Sequence, residues 1–480
     1  MFRTRLPLVA SLISAIFISS LLPTNGASAS TPEFSNCLLP ASKVNAVSLG
    51  QPLAIERLAQ KTNLRIGVLP FYFNNSPEKL LTESQKSDYL NAAKTLGKLS
   101  NGKVSVEIVF LDSFKLDKPA ETIKQAYLDR GLAWSEQQTT KGTWGLVREV
   151  ITTADPVRNY SNLDGVILET NNPDQSYFIS EAMGFFAGSQ GNVYRDSDKV
   201  FFKSILTQEG AINNAVLLDV HKGESTIVHE LLHNFGLTDL YGSGAGPADL
   251  SIMAAGSNKL LNYEKAVLGW FPLENFKCIN LYEVLKTDSV DNILEISNFR
   301  TDSISLLKKS EDTAYLLETI NSGNETLLVV YLLEQDRRPP LTVSYNPKLT
   351  YPSFYNIRDL NSIGSKYRTE DFEVLLTDIK DSSISLNLIP TKLANSADAQ
   401  ILFEKSISNR DQAKAKADAE AKAKADAEAK TDAEAKAKAD AEAKAKLSVK
   451  KTTIICVKGK TSKKVVAEQP KCPAGYKLKK

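Results

Sequence analysis

HELLHNFGLTD, running from His229 to Asp239, decides how the rest of the chain is read. Placed on a helix, His229 and His233 stand four residues apart and project from one face on successive turns. Two imidazoles so placed can share one metal ion. Glu230 follows the first histidine and leans toward the open side of that metal, where it can take a proton from water and pass it on. Gly236 falls where a helix stops in a left-handed turn, because it lacks a Cβ. The chain then doubles back, and Asp239 can offer a carboxylate from the far side. Only three histidines occur in the chain, and the third, His221, lies upstream at a strand end, away from that face. The bland alternative is a buried helix whose histidines are merely hydrogen-bonded, since a bare HExxH recurs by chance.

Downstream, SIMAAG (Ser251 to Gly256) places Met253 in a short turn-like stretch. A methionine there can form an apolar floor beneath a metal, although methionine is also an ordinary core residue. Tyr241 and Tyr263 flank the region. Either hydroxyl is a candidate to stabilise a developing oxyanion, and either is as readily a packed side chain. Glu264 in NYEK is a second carboxylate candidate for the metal, or half of a structural ion pair.

Taken together, HELLHNFGLTDLY, SIMAAG and NYEKAVLGW resemble the immune inhibitor A-type secreted bacterial metallopeptidases. The resemblance is strong from Val216 to Phe271 and weaker over AYLLE and LLVVYLLEQ further on. It implies a zinc endopeptidase with an α+β zincin- or metzincin-like catalytic domain acting on protein or peptide substrates. It implies His229 and His233 as zinc ligands, Glu230 as general base and Met253 as the turn methionine. Asp239 matches the family's aspartate and is the expected third ligand, with Glu264 as the alternative. A calcium ion is a further candidate without a clear motif, because Gly242 stands where family members carry an acid. Asp196 and Asp249 are weak candidates for it.

Upstream the pattern is mixed α/β. NLRIGVLPFYF, KVSVEIVFL, LDGVILET and NAVLLDV read as strands. KSDYLNAAKTLGKL and AETIKQAYLDRGLAWSEQ have helical spacing. Residues 63–276 make up the expected metallopeptidase domain, preceded by an N-terminal segment at 30–62. Residues 1–29 read as a secretory signal peptide. Arg3 and Arg5 precede an apolar run, and Ala27-Ser28-Ala29 gives a cleavage site. Secretion, to the exterior or the cell surface, is therefore expected, with no transmembrane segment after cleavage. In that oxidising setting the four cysteines should pair. Cys456–Cys472 and Cys37–Cys278 are the favoured pairs. The sharper alternative makes Cys37 a thiolate that caps the metal in a latent form.

After Phe271 the texture changes to short β-prone runs, and residues 277–400 read as a β-rich domain or as an extension of the catalytic unit. Residues 411–446 are Ala/Lys/Asp/Glu repeats with no apolar face and with opposite charges four residues apart. They predict a solvated helical linker about 50 Å long at 1.5 Å per residue, with Thr431 breaking the phase. Residues 447–480 form a basic, cysteine-containing tail. Its ten lysines against the single acid Glu468 suit an anionic cell-wall or surface polymer, or simply keep a small module soluble. The whole chain is nearly neutral at +2 with 42% apolar residues, which argues against nucleic acid and for a real core. A monomer is expected. Two rivals to proteolysis stand beside it. One is an exported surface-binding protein on a protease-like scaffold. The other is a zinc hydrolase acting on a cell-wall amide.

Overall fold

NLRIGVLPFYF forms strand β1 (Asn63–Phe73), and its side chains alternate between two cores. Leu64, Ile66 and Val68 face one side, and Leu69, Phe71 and Phe73 face the other. A strand buried on both faces reads as a continuous apolar run, which is why this segment does. The computed structural model describes residues 37–42, 49–53, 57–128, 142–171, 182–186, 204–240, 250–254, 257–285, 289–297, 301–322, 325–336, 341–343, 355–356, 363–380, 382–447 and 450–480. The expected signal peptide, Tyr241, Asp196 and Asp249 lie outside them.

The element order is mixed. Helix α1 (Glu83–Leu99) follows β1, then β2 (Ser105–Phe110), α2 (Glu121–Leu128), α3 (Gly142–Ala154), β3 (Gly165–Glu169), β4 (Ala182–Phe186) and β5 (Asn214–Leu218). These strands make one sheet in the order β2-β1-β3-β5-β4. The first four are parallel, and β4 pairs with β5 antiparallel at one edge. Helices α2 and α3 cover one face. The other face carries α1 and the helix of the opening motif, α4 (Glu224–Phe235). Thr82 and Gln85 start α1 with reciprocal side-chain bonds to each other's backbone N–H. The sequence reading did not include α3, whose apolar residues crowd all round it: Trp144, Leu146, Val147, Val150 and Ile151 are all buried.

Past α4 and the short α5 (Asn262–Val267), the chain enters a β sandwich. One sheet contains β6 (Phe276–Asn280), β8 (Ser303–Lys308), β9 (Thr313–Ser322) and β10 (Glu325–Glu334), and short strands extend its β10 side. The second contains β7 (Ile293–Ser297), β11 (Lys366–Arg368), β12 (Phe372–Ile379) and β13 (Ser383–Pro390). Tyr315, Leu317, Leu328 and Val330 pack between the sheets. Ala314, Leu316, Val329 and Tyr331, on the opposite face, join the core that holds Leu231, Phe235 and Met253. No gap separates the β-rich region from the helix of the motif, and one core serves both.

The N-terminal segment belongs to that same core. Leu38, Leu39, Leu49 and Leu58 are buried in it. Gln335 donates to the Leu49 carbonyl at 2.5 Å, and Ser42 donates to Asp336 at 2.7 Å. Both expected disulfides form, Cys37–Cys278 and Cys456–Cys472. Cys37 is therefore no free thiolate, and the alternative in which it caps a metal falls.

The last helix, α6 (Ala397–Leu447), starts 14 residues before the repeats. Its first turns lay Ala399, Leu402 and Phe403 on the sandwich, and only then does it run on solvated. Thr431 does not break it. The threonine hydroxyl donates to the Ala427 and Glu428 carbonyls at 2.9 and 2.8 Å, and the helix continues. The tail is a three-stranded sheet, β14 (Thr452–Lys458), β15 (Thr461–Ala467) and β16 (Lys477–Leu478), with β14 in the middle. Among the described residues no helix is long and apolar enough to cross a membrane.

Candidate metal centre

Local sequence dictates how α4 presents its histidines. Ile227, Val228, Leu231, Leu232 and Phe235 are buried in the core, and Asn234 donates to the Ala215 carbonyl on β5 at 3.3 Å. The remaining face carries His229 and His233, with ring centroids 4.9 Å apart. Gly236 ends the helix at φ 121°, and a Cβ there would sit 3.0 Å from Leu53. The backbone conformation and the close approach both require glycine. The reversal brings Asp239 back over the helix.

The geometry of the three donors is specific. Asp239 Oδ1 lies 3.2 Å from His229 Nε2 and 3.2 Å from His233 Nε2. Their ligand atoms all fall within 4.8 Å of one another, and the cluster can hold a metal ion. Each imidazole is oriented from behind by a backbone carbonyl. His229 Nδ1 donates to Ile252 O at 2.8 Å, and His233 Nδ1 donates to Leu237 O at 2.9 Å. With the hydrogen held on Nδ1, each Nε2 points its lone pair at the shared point. Two imidazoles and one carboxylate suit zinc or a similar transition ion, whereas calcium and magnesium require a shell of oxygens. Glu230, next to His229, is buried.

Without a metal, His233 holds a proton opposite an ionised Asp239. Burial alone would lower the pKa of His233, but the hydrogen bond and charge of Asp239, with Glu230 nearby, lift it to about 9. Burial would raise Asp239, yet the two imidazoles hold it well below the usual carboxylate range.

The sequence matches no protein-family model and no curated protein.

The remaining candidates take other places. Met253 is fully buried in a one-turn 3-10 helix, Ile252–Ala254, and its carbonyl accepts the Leu240 N–H at 2.8 Å. The turn thus sits against the same loop that carries Asp239. Glu264 is fully buried and does not join the donors. Its Oε2 accepts the Ser251 hydroxyl at 2.7 Å and the Leu261 N–H at 2.8 Å. Tyr263 is buried too, and its hydroxyl accepts the Leu39 N–H at 3.2 Å, so it faces the N-terminal segment rather than a substrate. His221 contacts Glu169 and Asp88 at 3.0 and 2.8 Å, outside the donor cluster.

Sequence reasoning missed the two carbonyls that orient the histidines, because backbone atoms leave no residue signature. It also missed Glu318, which is fully buried on β9, on the same face as Leu316 and Ile320. A glutamate on the core-facing side of an otherwise apolar strand was a readable signal.

Burial pushes the Glu264 carboxyl up to about 8 and Glu318 up to about 7. Both folded values exceed the unfolded one, so the native state holds these protons more tightly. Their contribution to stability is complete below about pH 4.5 and is lost as pH rises through 7 to 8. Each group contributes a slope of at most about 1.4 kcal/mol per pH unit. Glu264→Gln should therefore unfold in denaturant with a shallower decline of stability between pH 5 and 8 than the wild type. Parallel pH profiles for the two proteins would refute this account.

Proposed function

We propose that the chain is a secreted zinc endopeptidase. The observation that carries this reading is the convergence of His229 Nε2 and His233 Nε2, from the helix that also carries Glu230, on Asp239 Oδ1 from the loop that follows it. A zinc ion held by those three atoms would polarise a peptide carbonyl and make water acidic enough to attack at neutral pH. The chain's own residues do the rest. Glu230 takes the proton from the attacking water and delivers it to the departing amine nitrogen, so that the amide bond breaks as a carboxylate and an amine form. The carbonyls of Ile252 and Leu237 keep both imidazoles in the ligating tautomer. An extended peptide is favoured as substrate because β4 stands at the sheet edge, antiparallel to β5 and packed against α4. Its outer backbone groups can pair with a substrate strand. The zincin- or metzincin-like description of the domain belongs to the same proposal.

The full mature chain, with its disulfides intact, should hold about one zinc ion and cut unfolded casein. A chelator should abolish cleavage, and zinc should restore it. Metal uptake without protein cleavage would shift the reading to hydrolysis of an amide in another polymer. No metal uptake would leave a scaffold, and the reading would fail.

The tail supports a surface location. Lys463, Lys464 and Lys477 are exposed on its sheet, beside exposed Ile455, Val466 and Leu478. A compact, disulfide-closed, strongly cationic sheet suits a polyanion such as a wall polymer. Full-length protein should co-sediment with anionic cell walls at low salt and be released at high salt. A chain ending at residue 446 should bind at least roughly tenfold less. Equal sedimentation of the two chains would remove this role from the tail.

A further inference from the structure

Three buried polar groups form a continuous line from the β sandwich to the metal centre. On strand β9, Glu318 faces the shared core and is fully buried. Its Oε2 accepts the Asn262 N–H at 2.9 Å, and its Oε1 accepts the Tyr263 N–H at 2.8 Å. The Tyr331 hydroxyl, from the neighbouring strand β10, donates to the same carboxylate. Asn262 Nδ2 donates to the Thr319 carbonyl at 2.9 Å. The first turn of α5 is thus capped by a side chain from another sheet, which fills the role of the helix's own missing acceptors.

Glu264, in the first turn of that helix, reaches back to the Leu261 N–H and takes the Ser251 hydroxyl. A serine hydroxyl has one hydrogen and two lone pairs. The hydrogen goes to Glu264, and a lone pair accepts the Met253 N–H at 3.0 Å. Between Ser251 and Met253 lies Ile252, whose carbonyl receives His229 Nδ1–H at 2.8 Å. Each link fixes the next: β9 sets α5, α5 sets Ser251, and Ser251 sets the carbonyl that aims His229.

Two buried carboxylates are a costly way to fill a core, since apolar side chains of similar volume do so at less cost. Their position calls for another reason. We infer that Ser251, Glu264 and Glu318 are positioning residues for the metal centre, acting on His229 through the Ile252 carbonyl. The β sandwich is then part of the apparatus that aims a ligand. This inference rests on the metal-centre reading above.

The test uses the full chain and its Ser251→Ala and Glu318→Gln variants. A third variant, Leu386→Ala, empties a place in the core between the sandwich sheets, away from α5, and is the control for simple loss of stability. Zinc affinity is measured by chelator competition. The visible spectrum is recorded with cobalt(II) in place of zinc, and kcat and KM are measured on a peptide. Loss of outer-shell partners costs metal affinity about 10- to 100-fold. Both positioning variants should show that loss, an altered cobalt spectrum and a lower kcat at unchanged KM. Leu386→Ala should lower the melting temperature and keep the wild-type spectrum and affinity. Wild-type spectra and affinities in Ser251→Ala and Glu318→Gln would overturn the inference alone. A wild type that takes up neither zinc nor cobalt would overturn the metal-centre reading and this inference with it.

Discussion

Glu230→Gln should keep its zinc and lose its proteolysis. Glutamine has nearly the same shape as glutamate, and the three donors His229, His233 and Asp239 are untouched. Residue 230 sits buried on α4, so the substitution removes a charge from a confined place without opening a cavity. What it removes is the ability to take up and release a proton. Positioned proton transfer contributes about 10²- to 10⁴-fold in rate, and kcat should fall by that factor. Zinc content by elemental analysis should stay at about one per chain. A glutamine variant that keeps a tenth or more of the wild-type rate would mean that another group carries the proton. The reaction would then need a different base.

The second large effect is expected at Asp239. In Asp239→Ala the metal loses an oxygen ligand, and affinity should fall by more than the 10- to 100-fold typical of an outer-shell loss. Protons give an independent readout. In the metal-free protein His233 titrates at about 9, chiefly because Asp239 outweighs the effect of burial. At pH 7.5 that imidazole is protonated, and a metal must displace the proton to bind. Stability follows the same group: its contribution is complete below about pH 6.5 and is lost as pH rises through 9. Calorimetric titration with zinc in two buffers of different ionisation enthalpy should show about one proton released by the wild type. The alanine variant should release clearly less, because its His233 no longer has the carboxylate that raised it. Equal affinities and equal proton release would remove Asp239 from the ligand set.

Much of this site was legible in the sequence because its parts are local. His229, Glu230 and His233 share one helix, and Gly236 announces the turn that returns Asp239. Only ten residues separate the first ligand from the last. Strands β1, β3 and β5 were legible because burial on both faces leaves unbroken apolar runs, and β2 because its residues alternate, whereas β4 was not read. The rest depends on partners distant in sequence. Periodicity tells which side of β9 is buried but not what covers it. Glu318 therefore gave no hint that it would cap a helix 55 residues upstream. Glu264 read as the alternative ligand to Asp239, or as half of an ion pair, because an acid near a metal motif looks like one, and only its contacts with Ser251 and Leu261 assign it elsewhere. The N-terminal segment looked like a short lead-in because its leucines are scattered. They are buried by strands that lie almost 300 residues later.

That last pairing has a consequence for timing. The first described residues lock onto the Tyr263 hydroxyl and the Val267 carbonyl, onto Cys278, and onto Gln335 and Asp336. The two histidines are therefore made about a hundred residues before the last piece of the frame that seats them. A chain still emerging carries His229 and His233 without the strands that complete the core around their helix. The proposed metal centre would then reach its final seat only after Gln335 and Asp336 have emerged.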